Sequence, residues 1–182
     1  LCSGQGAELQ WNSRPLRPID ALQIGALKTA PAFEIALYAG LRAAEVEVDE
    51  DLLRHLATYI GEGFQVLNDL DDWDGHPSSR RPPGHDVITG RPTILRAFAD
   101  DAGAAEQLEA LTEQARALDD PTDAIALVRD LYDESGAFEK ARALHSRLRD
   151  GALELAEQMP SAALRELARF LVRSILKRPT VA

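Results

Sequence analysis

The apolar residues of this chain recur at helical spacing, and no segment alternates in the manner of a β-strand. The clearest period leads into an acidic stretch and consists of Leu52, Leu56, Tyr59, Ile60, Phe64, Leu67 and Leu70. Asp49 stands just before this run, where its side chain can cap a helix. The pattern therefore predicts an all-α protein in which one long helix begins after Asp49 and extends to about Asp74.

Further helical periods flank this long helix. An earlier one begins at Asp20, but Pro31 lies within it. Because proline lacks an N–H and its ring crowds a carbonyl of the preceding turn, we expect a kink just after Lys28 and Thr29. Residues 75–92 have no apolar period and predict a polar loop. From Thr93 onward, further apolar periods predict helices joined by short turns. These predicted helices include the ranges Leu108 to Leu118, Ile125 to Leu131, Ala141 to Leu155 and Ser161 to Leu176.

The end of the long helix carries the most informative polar residues. Gln65, Asp69 and Asp72 fall at i, i+4 and i+7, so they share one helix face, and Asn68 flanks it. Like charges at this spacing repel, and negative charge at a helix C-terminus opposes the macrodipole. The arrangement is therefore typical of a site for a hard divalent cation such as Mg²⁺. The alternative is an acidic helix end that is simply solvated.

Cationic residues elsewhere favour the functional interpretation of this acidic end. The predicted loop carries Arg80, Arg81, His85 and Arg91, which would face the carboxylates if the loop folds back. Lys28 and Thr29 are further candidates because a kink would aim them into a cleft, although a surface lysine beside a helix break is the plainer alternative. Another acidic string, Asp119 to Asp123, is explained by helix capping, with Asp120 as the N-cap and Pro121 at the first helical position.

Composition limits the classes of protein that the chain can represent. Its 182 residues suit one domain or a piece of a larger one, and the net charge of -10 argues against nucleic-acid binding. Cys2 is the only cysteine, so an internal disulfide is excluded. No apolar run approaches the roughly 20 residues of a membrane span, and we expect a cytoplasmic protein. Because Leu1 is not an initiator methionine, we expect that an N-terminal part precedes this chain.

Several short segments, in chain order, resemble the motifs of trans-isoprenyl diphosphate synthases, the polyprenyl synthetase family. They are Gly4-Gln5 with Glu8, Lys28-Thr29-Ala30, Phe64-Gln65 leading into Asn68-Asp69-Leu70-Asp71-Asp72, Gly84-His85-Asp86, Gly90-Arg91-Pro92-Thr93 and Gly136-Ala137-Phe138-Glu139-Lys140-Ala141. The resemblance covers essentially the whole chain. It implies an all-α helical bundle of the isoprenoid synthase type, in which residues 1–182 form the C-terminal portion of a single domain.

The resemblance also implies an activity, a cofactor and a set of site residues. The family transfers an allylic prenyl group from its diphosphate to isopentenyl diphosphate, using Mg²⁺. Asp69 and Asp72 correspond to metal ligands, with Asn68 as a weaker one, and together with Lys28 they are the residues expected to be catalytic. The expected substrate-binding residues are Lys28, Arg81 and Arg91, which would clamp the allylic diphosphate, and Thr29 and Gln65, which would line the same pocket.

The sequence departs from the family pattern at identifiable positions. Asn68 stands where the second aspartate-rich motif has its first aspartate, His85 stands at a lysine position, and Pro31 is an addition. The first aspartate-rich motif is not in these residues. We therefore expect the missing N-terminal half as a partner, and a homodimer. Two alternatives stay open: a non-catalytic regulatory or interaction subunit of such a synthase, and a related class I terpene cyclase.

Overall fold

A computed structural model describes residues 6, 11, 15–74 and 82–177. Over these residues the chain forms eight helices and no strand, which confirms the predicted all-α class. The helices are α1 (Pro18–Ala43), α2 (Glu50–Asp74), α3 (His85–Thr89), α4 (Ile94–Asp101), α5 (Ala105–Ala117), α6 (Thr122–Glu134), α7 (Ala137–Glu157) and α8 (Ala162–Ile175).

Helix α2 is the central element of the bundle. It starts where the sequence predicts, because Oδ1 of Asp49 accepts a hydrogen bond from the backbone N–H of Leu52 (2.9 Å). It packs against α1 on one side and α7 on the other, and it also contacts α3, α4 and α8. Its apolar period becomes the buried surface between these neighbours, with Leu53, Leu56, Ile60, Val66, Leu67, Leu70 and Trp73 buried.

Helices α1 and α2 approach each other closely at one glycine. A Cβ added to Gly61 would lie 2.7 Å from the backbone N and Cα of Ala30, so only glycine allows the two backbones this near. The contact fixes α1 against α2 near the middle of both helices. The residues of α1 that precede Ala30 are thereby held beside the acidic end of α2.

The predicted helical pattern around Pro31 is confirmed, and the kink expected just after Lys28 and Thr29 stays a prediction. Helix α1 runs without interruption from Pro18 to Ala43, with Pro31 in its interior. It also begins two residues before the predicted start, with Pro18 in its first turn. Proline is tolerated there because the N–H groups of the first turn make no hydrogen bond within the helix. The physical reason for the continuity is tertiary: the packing of Ala30 against Gly61 holds this turn in place despite the lost backbone hydrogen bond.

The predicted polar loop is only partly correct. Residues 85–89 form the short helix α3, bounded by Gly84 and Gly90, both in the left-handed conformation with φ of 74° and 68°. Val87, which is buried, anchors this helix to the core. A single anchoring residue cannot create an apolar period, so the sequence pattern does not reveal it. Residues 75–81, which include Arg80 and Arg81, lie outside the described part of the chain.

Most of the remaining sequence predictions agree with the structure. Oδ1 of Asp120 accepts hydrogen bonds from the N–H (3.1 Å) and the hydroxyl (2.6 Å) of Thr122, the first residue of α6. The N-cap position itself is Pro121, one residue after the predicted Asp120, and no side chain caps the helix there. Ser161 caps α8 through the N–H of Leu164. Within the described residues, no helix is both long and apolar enough to cross a membrane.

An aromatic cluster supports the acidic end of α2 from below. The rings of Trp73, Tyr132 and Phe138 meet edge to face, with centroid separations of 5.4 to 5.9 Å. Because these rings come from α2, α6 and α7, the cluster joins three helices at the end of α2, where Trp73 follows Asp72 in the chain. The end of α2 that carries the carboxylates is therefore packed against two other helices.

Candidate functional site

A cavity of about 350 Å³ opens at the acidic end of α2. It lies between the first half of α1, the last turns of α2 and the segment that joins α3 to α4. Its lining residues are Ala21, Ile24, Gly25 and Lys28 from α1, Gln65, Asn68, Asp69, Asp71 and Asp72 from α2, and Asp86, Arg91, Pro92 and Thr93 from the third segment. Carboxylates and cationic side chains thus face the same space.

Helix α2 supplies the acidic wall as its spacing predicts. Gln65, Asp69 and Asp72 share the face that lines the cavity, and Asn68 lies beside them. The amide nitrogen of Asn68 donates to Oε1 of Gln65 (3.3 Å), which ties the two amide side chains together. The structure therefore brings together all four polar residues that the sequence assigns to this face.

The segment after α2 folds back over the acidic end. The N–H of Gly84 donates to the carbonyl of Asp72 (3.2 Å), and the N–H of Asp86 donates to Oδ2 of the same residue (3.1 Å). Farther along, the N–H of Ile94 donates to Oδ2 of Asp69 (2.7 Å). Both carboxylates are therefore oriented by backbone donors from α3 and α4, which lie well separated from them in sequence.

The electrostatics of the acidic wall favour a bound cation. Burial raises the pKa of Asp69 to about 8, although the Ile94 N–H and the charge of Lys28 oppose the rise. Burial also raises the pKa of Asp72, and the charge of Asp86 adds to that shift. A divalent cation in the cavity would favour the ionised form of both carboxyl groups, because it supplies the opposite charge that the protein lacks.

The cationic wall consists of Lys28 on α1 and Arg91 after α3. The charge of Lys28 acts on Asp69 across the cavity. Nη1 of Arg91 lies 3.2 Å from Oδ1 of Asp86, and its side chain is still 44% exposed, so the guanidinium has donors left for a second anion. Helix α3 is itself held from outside, since Nε of Arg116 donates to the carbonyl of Ile88 (3.0 Å).

Some predicted site residues do not meet in the cavity. Thr29 follows Lys28 on α1 but is not among the lining residues, since neighbours on a helix point about 100° apart. Arg81 and the segment with Gly4, Gln5 and Glu8 lie outside the described residues. The sequence prediction also missed Asp86, whose carboxylate lines the cavity. Its place between two glycines of a recognisable loop motif is the signal that could have identified it.

The carboxylates of the cavity suit a metal ion whose coordination is completed by a bound ligand. In the described ranges, no three carboxylate, imidazole or thiol side chains converge closely enough to hold a metal ion on their own. Asp69 and Asp72 each use Oδ2 for a backbone N–H, and Oδ1 of a carboxylate can still ligate a cation. Mg²⁺ is usually held by one or two carboxylates together with waters and phosphate oxygens, so these residues fit that ion and not a closed protein cage.

Comparison with known proteins identifies the family to which this chain is similar. The family model described as Polyprenyl synthetase matches residues 1–133. Heptaprenyl diphosphate synthase component 2 from Geobacillus stearothermophilus is 26% identical over 186 aligned residues, an alignment that covers 98% of this chain and 55% of that protein. The chain therefore spans about half the length of the curated relatives it matches.

Solved structures share the same arrangement of helices. A geranylgeranyl pyrophosphate synthase superposes with a TM-score of 0.83 at 19% identity, over 98% of this chain and 57% of that one. The enzyme of that name from Corynebacterium glutamicum, complexed with isoprenyl diphosphate and magnesium, gives a TM-score of 0.80 at 24% identity, over 97% and 52% of the two chains. These likenesses show that the helices form the all-α fold of the isoprenyl synthases.

Proposed function

The chain belongs to the polyprenyl synthetase family, and on that premise we propose that it is the C-terminal half of a Mg²⁺-dependent prenyltransferase domain. The proposed reaction joins isopentenyl diphosphate to an allylic diphosphate and releases inorganic diphosphate. The observation that carries the proposal is the cavity in which Asp69 and Asp72 face Lys28 and Arg91. Facing walls of opposite charge are what a metal-bound diphosphate requires.

The chemical demand of this reaction falls on the leaving group. As the allylic C–O bond breaks, the diphosphate gains negative charge while the prenyl group becomes a cation that the double bond of isopentenyl diphosphate attacks. The new C–C bond leaves a tertiary cation, which loses a proton to form the double bond of the elongated product. Mg²⁺, when bound, supplies positive charge to the leaving oxygens. In this proposal Asp69 and Asp72 hold the ion, and Asn68 contributes an amide oxygen as a weaker ligand.

The cationic and neutral polar residues bind the diphosphate itself. Lys28 and Arg91 supply charge-assisted hydrogen bonds to phosphate oxygens, which strengthen as charge accumulates in the transition state. Gln65 orients the same group without adding charge. We extend the proposal to Arg81 as a further clamp on the diphosphate, as the family resemblance implies, and to Thr29 as a residue that would act only after a local shift of α1.

The proposal includes partners beyond this chain. Relatives are about twice as long, and α1 exposes the large apolar residues Ile19, Leu27, Ile35 and Tyr38. An exposed apolar stripe of this kind is typical of a surface that another element covers. We propose that the N-terminal half of the domain, carrying the first aspartate-rich motif, packs against this stripe, and that the complete protein forms a homodimer.

A second candidate function is a non-catalytic subunit of a synthase. Asn68 occupies a carboxylate position of the motif, and its amide is engaged with Gln65, which lowers the negative charge available to a metal ion. The relative from Geobacillus stearothermophilus is itself named as a component of a synthase. The two candidates differ in one observable, since only the enzyme elongates an allylic diphosphate.

The test is product formation by the full-length protein with labelled isopentenyl diphosphate, Mg²⁺ and allylic diphosphates of increasing length. We expect elongated products that disappear when Mg²⁺ is chelated. Asp69→Asn and Asp72→Asn should each lower turnover by about 100-fold or more, the loss typical of removing one group that stabilises transition-state charge. Asp133→Asn, at an exposed position on α6, is the matched control and should leave turnover unchanged.

Three outcomes would contradict parts of the proposal. Near-normal turnover in both site variants would remove Asp69 and Asp72 from the metal site. A folded full-length protein that binds diphosphate with Mg²⁺ but forms no elongated product would favour the subunit. Conversion of an allylic diphosphate to a hydrocarbon without isopentenyl diphosphate would identify a cyclase instead.

A further inference from the structure

A cluster of buried charges lies behind the acidic wall of the cavity. The side chain of Arg96 is 6% exposed, and its Nη2 lies 2.5 Å from Oε2 of Glu109. Its Nε lies 3.7 Å from Oδ2 of Asp100, whose side chain is 1% exposed. Burying ions is unfavourable, and an apolar replacement is often as stable, so stability alone is a weak explanation for this cluster.

The cluster is connected directly to Asp69 through helix α4. Thr93 caps this helix by accepting a hydrogen bond at Oγ1 from the N–H of Arg96 (3.2 Å). The next residue, Ile94, donates its N–H to Oδ2 of Asp69 (2.7 Å). Arg96 therefore lies in the same helical turn as the donor that orients the carboxylate. Any rotation of this turn would move the donor.

Helix α4 is short and depends on its surroundings for orientation. It has 8 residues, too few to be stable as an isolated helix. Arg96 joins it to Glu109 of α5, and Oδ2 of Asp100 accepts the N–H of Leu16 from the segment before α1 (2.8 Å). The guanidinium of Arg96 also lies 4.6 Å from the ring centre of Trp11. Charged and polar contacts thus fix both ends of α4.

We infer that Arg96, Asp100 and Glu109 are positioning residues for the metal site. They fix the N-terminus of α4, so that the N–H of Ile94 holds the Asp69 carboxylate with one oxygen directed at the cavity. This inference rests on the proposed function, because it assumes that Asp69 ligates the metal ion. Outer partners of ligating carboxylates commonly change metal affinity by 10-fold to 100-fold when they are lost.

Glu109→Gln is the most informative variant, because it removes one charge at the outer edge of the cluster and keeps the shape of the side chain. The matched control is Glu157→Gln, since Glu157 also pairs with an arginine, Arg169, at 3.0 Å, but on the exposed surface between α7 and α8. Both substitutions change the same chemical group and the same net charge. They differ in whether the ion pair lies behind Asp69.

The measurement is calorimetric binding of inorganic diphosphate to the full-length protein, with and without Mg²⁺, together with thermal unfolding. We expect Glu109→Gln to weaken Mg²⁺-dependent diphosphate binding about 10-fold, whereas Glu157→Gln should bind as the unchanged protein does. Binding without Mg²⁺ should be the same in all three proteins, because the cluster does not contact the diphosphate. Arg96→Lys, which keeps the charge but loses the planar fork, should fall between Glu109→Gln and the unchanged protein.

The outcomes separate this inference from the proposed function. If the unchanged protein binds diphosphate independently of Mg²⁺, the proposed function fails and this inference fails with it. If that binding depends on Mg²⁺ and Glu109→Gln matches the control, the positioning role alone is overturned. A lower melting temperature in Glu109→Gln with unaltered Mg²⁺-dependent affinity would likewise overturn it, since the cluster would then be structural only.

Discussion

Lowering the pH from 7 to 5 should remove a contribution to stability that depends on one buried histidine, His145. The raised pKa of Asp69 acts in the opposite direction over this range, so the contribution of His145 is measured as a difference between variants. This residue lies on α7 with 0% exposure, and neither ring nitrogen has a hydrogen-bond partner among the described residues. Burial lowers its pKa from 6.5 to about 4, with the charge of Arg149 adding to the shift and Asp150 opposing it. The folded protein therefore holds a neutral imidazole where the unfolded chain binds a proton.

The sign and size of the effect follow from proton linkage. Between the unfolded pKa of 6.5 and the folded pKa of about 4, the unfolded state binds more protons, so stability falls as the pH falls through this window. At pH 7 the folded protein is almost entirely neutral at this residue, and about one-quarter of the unfolded chains are protonated there. At pH 5 the unfolded chain is almost fully protonated and the folded protein is not. The difference amounts to about 2 kcal/mol of unfolding free energy lost between pH 7 and pH 5.

Urea unfolding followed by circular dichroism at the two pH values tests this directly. His145→Leu removes the titrating group, so the change in its unfolding free energy from pH 7 to pH 5 should be more favourable than that of the unchanged protein by about 2 kcal/mol. At pH 7 the variant should be at least as stable, because it removes buried polar atoms that lack partners. His55→Leu, at an exposed position on α2, is the control and should keep the full pH dependence. An equal loss in His145→Leu and the unchanged protein would refute the reasoning.

Two glycine substitutions test how the walls of the cavity are held. Gly61→Ala would place a Cβ 2.7 Å from the backbone of Ala30, so it should separate α1 from α2, cost about 1 to 3 kcal/mol in urea unfolding and weaken diphosphate binding. Gly40→Ala, with no atom within 4 Å, should be neutral or slightly stabilising, and equal effects of the two changes would contradict this account. Gly90→Ala, at a φ of 68° and facing the guanidinium of Arg116, should cost about 1 to 2 kcal/mol and also weaken diphosphate binding; unaltered binding would show that α3 does not position the cationic wall.

The helices could be predicted from the sequence because their causes are local. Apolar stripes mark the long helices, and capping side chains mark the starts of α2 at Asp49 and of α8 at Ser161, so these starts lie where the sequence predicts them. The failure to predict α3 has a tertiary cause, because this short helix forms around the single buried side chain of Val87.

In the candidate site, too, features with local causes could be predicted from the sequence and features with tertiary causes could not. Helical spacing alone places Gln65, Asp69 and Asp72 on one face, which the cavity confirms. No local pattern indicates that the N–H of Ile94, 25 residues away, orients Asp69. Nor does sequence reveal that Arg96 is buried, since arginine is usually exposed and its burial depends on partners from other helices. The residues of the acidic wall were therefore predictable, and the residues that hold them in place were not.

The geometry also explains how an acidic helix end can be part of a stable fold. Carboxylates at the C-terminus of α2 oppose its macrodipole, which costs roughly 0.3 to 1 kcal/mol for each exposed charge. The N-terminus of α4, where the dipole is positive, meets Asp69 at this end, and the N–H of Asp86 meets Asp72. These two donors offset part of the repulsion, but the pKa of both carboxyl groups stays raised. The remaining unfavourable charge is what a cation and its diphosphate would relieve, so the local instability of the acidic end favours binding.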